Sequence, residues 1–191
     1  MSKAVMLSIN PRWCELIAAG KKTMEVRKTC PKLEAPFKCY IYCTKPRFEH
    51  EDFFALVGKQ GFYGGGKVIG EFVCDGTVWL ARVGFTGRGR EPEYRIANNG
   101  DWKSPIGRLL EEACLTEKEI DAYLGGNPRF GWHISNLKIY DKPREISEFK
   151  KHNRDCYFDN LGMATPKCSE CTQCNLTRPP QSFCFVEALQ T

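Results

Sequence analysis

The chain has no stretch of about 18 consecutive apolar residues, so the sequence holds no candidate for a membrane-spanning helix. Met1-Ser2-Lys3-Ala4 leads straight into a strand-like run without a basic-then-apolar secretory pattern, and the expected location is cytoplasmic. Strong charge of either sign is missing too. The net charge of +5 is mild, and its basic residues are interleaved with acids, which permits a polyanionic partner without demanding one. Gly64-Gly65-Gly66 lacks the lysine and Ser/Thr placement of a P-loop and reads as a flexible strand approach, not a phosphate cradle. Cysteine, by contrast, is plentiful. Eleven of them in a chain without a secretory pattern point to reduced thiols and metal binding more than to a disulfide framework.

A length of 191 residues suits one good core with a small appendage. We place the boundary at 150, with a globular domain over 1–150 and a cysteine-rich extension over 151–191. Ala4 to Ile9 reads as a buried strand, and Asn10-Pro11 as a helix cap followed by a first-turn proline. Trp13, Leu16, Ile17 and Ala18 give that helix an apolar side, and Gly20 ends it. Lys38 to Thr44 alternates as a strand should, with Tyr40, Tyr42 and Thr44 on one face. Lys67 to Val83 is strand-rich with a break at Asp75-Gly76. Pro105 to Cys114 reads as a helix, Thr116-Glu117-Lys118-Glu119 as a capping box opening a second that ends at Gly125-Gly126, and Phe130 to Tyr140 as one more strand.

The chemistry concentrates in Gly20-Lys21-Lys22-Thr23-Met24-Glu25-Val26-Arg27. Strand alternation puts Thr23, Glu25 and Arg27 on one face and Met24 and Val26 on the other. A carboxylate and a guanidinium two residues apart can hold each other's rotamers or offer a ligand an acceptor beside a forked donor. Lys22 adds a cation at the strand entrance. The competing reading is an exposed surface ion pair contributing about 0 to 1 kcal/mol.

Gly20-x-Lys22-x-x-Glu25-x-Arg27 resembles the signature of the ASCH domain, a branch of the PUA-like superfamily. Met6-Leu7-Ser8-Ile9-Asn10-Pro11, Tyr40-Ile41-Tyr42-Cys43-Thr44, Val68-Ile69-Gly70-Glu71-Phe72 and Trp132-His133-Ile134-Ser135-Asn136-Leu137 resemble its flanking and later strands. The resemblance implies an α+β fold: a small PUA-like mixed β-barrel with flanking and inserted helices, the second helix pair plugging one end, plus the C-terminal cysteine-rich metal-binding extension. It also implies RNA binding.

Further contact candidates are Tyr42, a base platform or a core residue; Thr44 and Lys45 at a strand end; and His133, a proton shuttle or base-edge donor. Arg82, Arg88, Arg90 and Arg95 around Gly84, Gly87 and Gly89 suit a nucleic-acid backbone or a solvated loop. In the extension, Cys168-x-x-Cys171-x-x-Cys174 lets three thiolates converge on one ion, with Cys156 ahead of Cys184 as the fourth ligand, since Cys184 also reads as a buried residue of the last strand, and His152 in reserve. A structural zinc is expected, ahead of an iron-sulfur cluster.

Three functions compete. The first is recognition of RNA or of a nucleotide, nucleoside or modified base by Lys22, Glu25 and Arg27. The second is hydrolysis of a modified cytidine or of RNA, implied by activities described for some ASCH domains, in which Lys22 and Glu25 would be catalytic. Glu25 stands where the amidohydrolase version carries a threonine nucleophile, which leaves Thr23 as the nearest hydroxyl and weakens acyl chemistry. The third is a protein-interaction adaptor. No membrane partner is expected.

Overall fold

The computed structural model describes residues 2–45, 64–83, 93–98, 101–125, 127–152 and 174–189. The chain divides into two compact units, one of Met1–Ala18, Phe37–Phe72 and Leu137–Thr191, the other of Ala19–Pro36 and Val73–Asn136. Among the described residues no helix is long and apolar enough to cross a membrane.

The first unit is built on β1 (Lys3–Ile9), β3 (Phe37–Cys43), β4 (Val68–Cys74), β9 (Ser135–Arg144) and β10 (Phe183–Glu187), in the order β10-β1-β3-β4-β9. β1 runs parallel to β3 and antiparallel to β10, in the register Met6 to Tyr40 and Met6 to Cys184. Helix α1 (Pro11–Ala18) follows β1, and Asn10 caps it, its Oδ1 accepting from the Arg12 amide at 3.1 Å. Gly20, at φ +70°, sits in the left-handed conformation the sequence anticipates after that helix. Tyr40 and Tyr42 both fall in this unit's core with Ala4, Met6, Val68, Phe149, Leu176 and Val186. Tyr40 meets Phe149 edge-on at 4.9 Å, and its hydroxyl accepts from the Leu189 amide at 2.8 Å.

The second unit carries β2 (Met24–Arg27), β5 (Thr77–Val83), β6 (Glu93–Asn98), β7 (Asp101–Pro105) and β8 (Arg129–His133), in the order β2-β8-β5-β6-β7. Helices α2 (Gly107–Ala113) and α3 (Glu117–Leu124) supply Leu109, Leu110, Ala113 and Ile120 to a core with Met24, Val26 and Leu80 from the sheet. The capping box forms as the sequence spells it: the Glu119 amide donates to Thr116 Oγ1 at 3.2 Å, and the Thr116 amide to Glu119 Oε2 at 2.9 Å. Cys114 ends α2 in a left-handed conformation at φ 52°.

Three expectations are corrected. The strands form two five-stranded sheets, and neither closes into a barrel among the described residues. The helices, expected to plug a barrel, pack instead on one face of the second sheet. The single strand expected over 130–140 is likewise two, because Ile134 leaves the ladder and its amide donates to Thr23 O at 2.8 Å. β8 then joins one sheet and β9 the other.

Gly131 sets how closely α2 approaches. A Cβ there would lie 2.9 Å from Val78 Cγ2, 3.1 Å from Met24 Sδ and 3.2 Å from Leu109 Cδ1. The added methyl overpacks a filled interface. Gly131→Ala is expected to destabilise the protein by about 1–3 kcal/mol, read as a lower urea midpoint at unchanged slope.

Candidate functional site

The site begins at the edge of the second sheet. β2 is four residues long and buried throughout, and its free edge is met by the end of α2: the Thr23 amide donates to Glu112 O at 2.8 Å. A helix leaves its last carbonyls without intrahelical partners. One of these, Ala113 O, accepts from Lys22 Nζ at 2.7 Å, so the lysine caps the helix C-terminus with the favoured sign of charge.

From there the ammonium reaches Glu25 Oε2 at 3.5 Å, while Arg27 Nε lies 2.9 Å from Glu25 Oε1. The three residues are 2%, 6% and 7% exposed. The reading of Glu25 and Arg27 as a solvent-exposed surface pair is therefore excluded. Counted alone, these side chains carry one negative and two positive formal charges. Burial pulls the Lys22 ammonium below the usual lysine range; Glu25 works against that shift and Arg27 adds to it.

Strand register fixes what shares the face. In the antiparallel pairing Glu25 stands opposite Trp132 and Arg27 opposite Phe130, and on the far side of β8 these meet Thr77 and Trp79. Directly opposed residues project from the same face of a sheet. The face thus carries a row Glu25-Trp132-Thr77 and a row Arg27-Phe130-Trp79. Trp132 is fully buried, Phe130 partly so. The opposite face, with Met24, Val26, Val78 and Leu80, is the apolar core.

Tyr123 of α3 joins from the edge. Its hydroxyl is pushed up chiefly by burial, with Arg27 pulling it down and Glu25 pushing it up, and Lys28 Nζ lies 5.4 Å above its ring.

The other candidates stand elsewhere. His133 is opposite Met24 and so on the apolar side of the sheet, not beside Glu25 and Arg27. Its Nδ1 engages Asp75 Oδ1 at 2.6 Å, and that bond holds the Asp75 carboxyl below the usual range. Tyr42, Thr44 and Lys45 belong to the first unit: Tyr42 is in the core, the Thr44 amide donates to Ile9 O at 2.9 Å, and Lys45 is exposed with its stem over Gly66. Arg88 and Arg90 of the glycine-arginine stretch lie outside the described residues.

Of the proposed metal ligands, Cys156, Cys168 and Cys171 lie outside the described residues. Among those described, no group of three or more His, Cys, Asp or Glu is placed to hold a metal. Cys174 and Cys184 line one cavity of about 400 Å³ in the first unit, with Lys151, Asn175 and Arg178. Burial raises the Cys184 thiol, and Lys151 works against that rise.

Sequence reasoning missed Tyr123, Trp132, Phe130 and Trp79 as neighbours of the charged group. Period-two alternation gives each strand its faces, but only register says which residues on a distant strand share them.

Compared with solved structures, the chain is similar to ASCH from Zymomonas mobilis, at 18% identity over 94% of this chain and 85% of that one, with a TM-score of 0.46. It is also similar to a single-site variant of that protein, at 19% identity over the same shares, with a TM-score of 0.49. No protein-family model matches the chain, and no curated protein does.

Lys22→Ala would take one of two cations from a buried carboxylate, leaving it Arg27, and would remove the donor to a helix carbonyl at the same time. We expect a loss of about 3 kcal/mol in denaturant unfolding, as for breaking other buried pairs. Lys21→Ala, at an exposed neighbour, is expected to stay within about 0.5 kcal/mol.

Proposed function

We propose that the chain binds RNA or a nucleotide through Lys22, Glu25 and Arg27. The observation that carries this is the burial of both cations around one carboxylate, on a sheet face that continues into aromatic side chains. A buried ionic group of that kind is an expensive structural element: hydrophobic residues of similar volume would stabilise the fold as well or better. Its retention is accounted for by what it offers a ligand. The Arg27 fork matches a phosphate or the acceptor edge of a base, and Glu25 accepts from an exocyclic amine or a ribose hydroxyl. The resemblance of the strand motif to ASCH domains points toward RNA from a separate direction.

The lowered basicity of Lys22 favours one second reading, hydrolysis of RNA or of a modified cytidine. A lysine poised nearer neutrality can take or hold a proton during the reaction. Thr23 remains the nearest hydroxyl in sequence.

Titration with nucleoside monophosphates and short RNAs, followed calorimetrically, tests the first reading. Arg27→Lys keeps the charge but loses the fork, so affinity is expected to fall at least tenfold, or about 1.4 kcal/mol, while the fold persists. Unchanged affinity in that variant refutes the assignment. Turnover of RNA or acetylated cytidine that disappears in a folded Lys22 variant carries the second reading instead.

We also propose that the extension holds one structural zinc. In support, Cys174 and Cys184 line the same cavity although ten residues separate them, which favours Cys184 over Cys156 as partner to the Cys168-x-x-Cys171-x-x-Cys174 run. A closed four-thiolate site leaves no position for water, so the ion would order the tail and perform no chemistry. Metal analysis of protein purified without chelator is expected to find about one zinc per chain, lost in Cys184→Ser and kept in Cys156→Ser. Absence of zinc, or the reverse pattern, overturns the assignment.

A further inference from the structure

Two large apolar side chains stand out as exposed among the described residues, Trp79 at 42% and Tyr123 at 40%. Both belong to the second unit, and both lie near Arg27: Tyr123 through its electrostatic coupling to the guanidinium, Trp79 through strand register. Trp79 is two strands from Arg27 in the row Arg27-Phe130-Trp79, and at about 4.8 Å per strand their backbones are about 10 Å apart. Along that row burial falls steadily, from the nearly enclosed guanidinium through a half-buried phenyl ring to the exposed indole.

On the far side of Trp79 the register places Ala97, and two residues before it on β6 is Arg95, opposite Ala81 and therefore on this same face. The indole is thus bracketed by guanidinium-bearing residues on strands to either side. A large ring that keeps 42% of its surface exposed, on a sheet face that also carries cations, is an informative arrangement. Every nucleobase has a face that stacks on such a ring, and phosphates on either side of a stacked base call for cations about one nucleotide away.

We infer that Trp79 is a stacking platform for an unpaired base of a single-stranded nucleic acid whose adjacent nucleotide occupies the Arg27 site. Duplex is excluded as the preferred ligand, because a base within a duplex has both faces covered by its neighbours and presents neither to an indole. This inference rests on the reading of Lys22, Glu25 and Arg27 as a nucleotide site and extends it by one position.

The test compares a mixed-sequence single-stranded RNA dodecamer, the same sequence annealed to its complement, and a nucleoside monophosphate. Each is titrated into the full chain and into Trp79→Ala and Trp79→Phe, with fluorescence anisotropy for the oligomers and calorimetry for the monophosphate. Trp79→Ala is expected to weaken the single strand about tenfold or more, the ratio one stacking contact supplies, and Trp79→Phe to retain most of the affinity. Monophosphate binding is expected to be unchanged in both, since the Arg27 site is intact. Dodecamer affinity insensitive to Trp79→Ala, with monophosphate binding still sensitive to Arg27→Lys, overturns the platform and leaves the nucleotide site standing. Equal affinity for duplex overturns it as well, as does self-association of the wild-type chain that Trp79→Ala abolishes. If neither oligomer nor monophosphate binds the wild-type chain, the nucleotide reading fails and the platform with it.

Discussion

One carboxylate holds the second unit's edge together. Taking Glu25 out of water is affordable only because Arg27 Nε stands 2.9 Å from one oxygen and Lys22 Nζ 3.5 Å from the other. The lysine in turn donates to the end of α2, at Ala113 O. Helix terminus, strand edge and charged face are therefore joined through one buried ionic cluster, and the geometry of any one member depends on the other two.

Two cations and a carboxylate meet here in a place where water contributes little screening, and electrostatic interactions are strongest where water is excluded. Burial acts on Lys22 in the opposite sense by favouring its neutral form.

Local features were legible in the chain. Asn10 before Pro11, Gly20 after the helix, and Thr116 with Glu119 each specify a cap through contacts within a few residues, and each appears where the sequence puts it. The alternation of Met24, Glu25, Val26 and Arg27 also correctly separated an apolar face from an ionic one. Non-local features were not. His133 and Trp132 are adjacent in sequence, and nothing in their neighbourhood says that Trp132, and not His133, stands opposite Glu25; a shift of one residue in the β2-β8 pairing would exchange them. The expectation of one closed barrel came from the family resemblance, and among the described residues the strands pair into two open sheets instead. Tyr42 was ambiguous for a different reason: a tyrosine on an alternating strand suits a core as well as a binding face, and only its packing among Met6, Val68 and Val186 decides.

The anchor of Lys22 is a main-chain oxygen, and every amino acid at position 113 would present the same one. Replacement of that alanine by another residue small enough for the core leaves the ammonium's seat intact, whereas lengthening or shortening α2 by a single residue rotates the carbonyl by about 100° and carries it about 1.5 Å along the axis. Helical register therefore matters here more than residue identity: a one-residue insertion or deletion within 107–113 displaces the carbonyl that a substitution at 113 leaves in place.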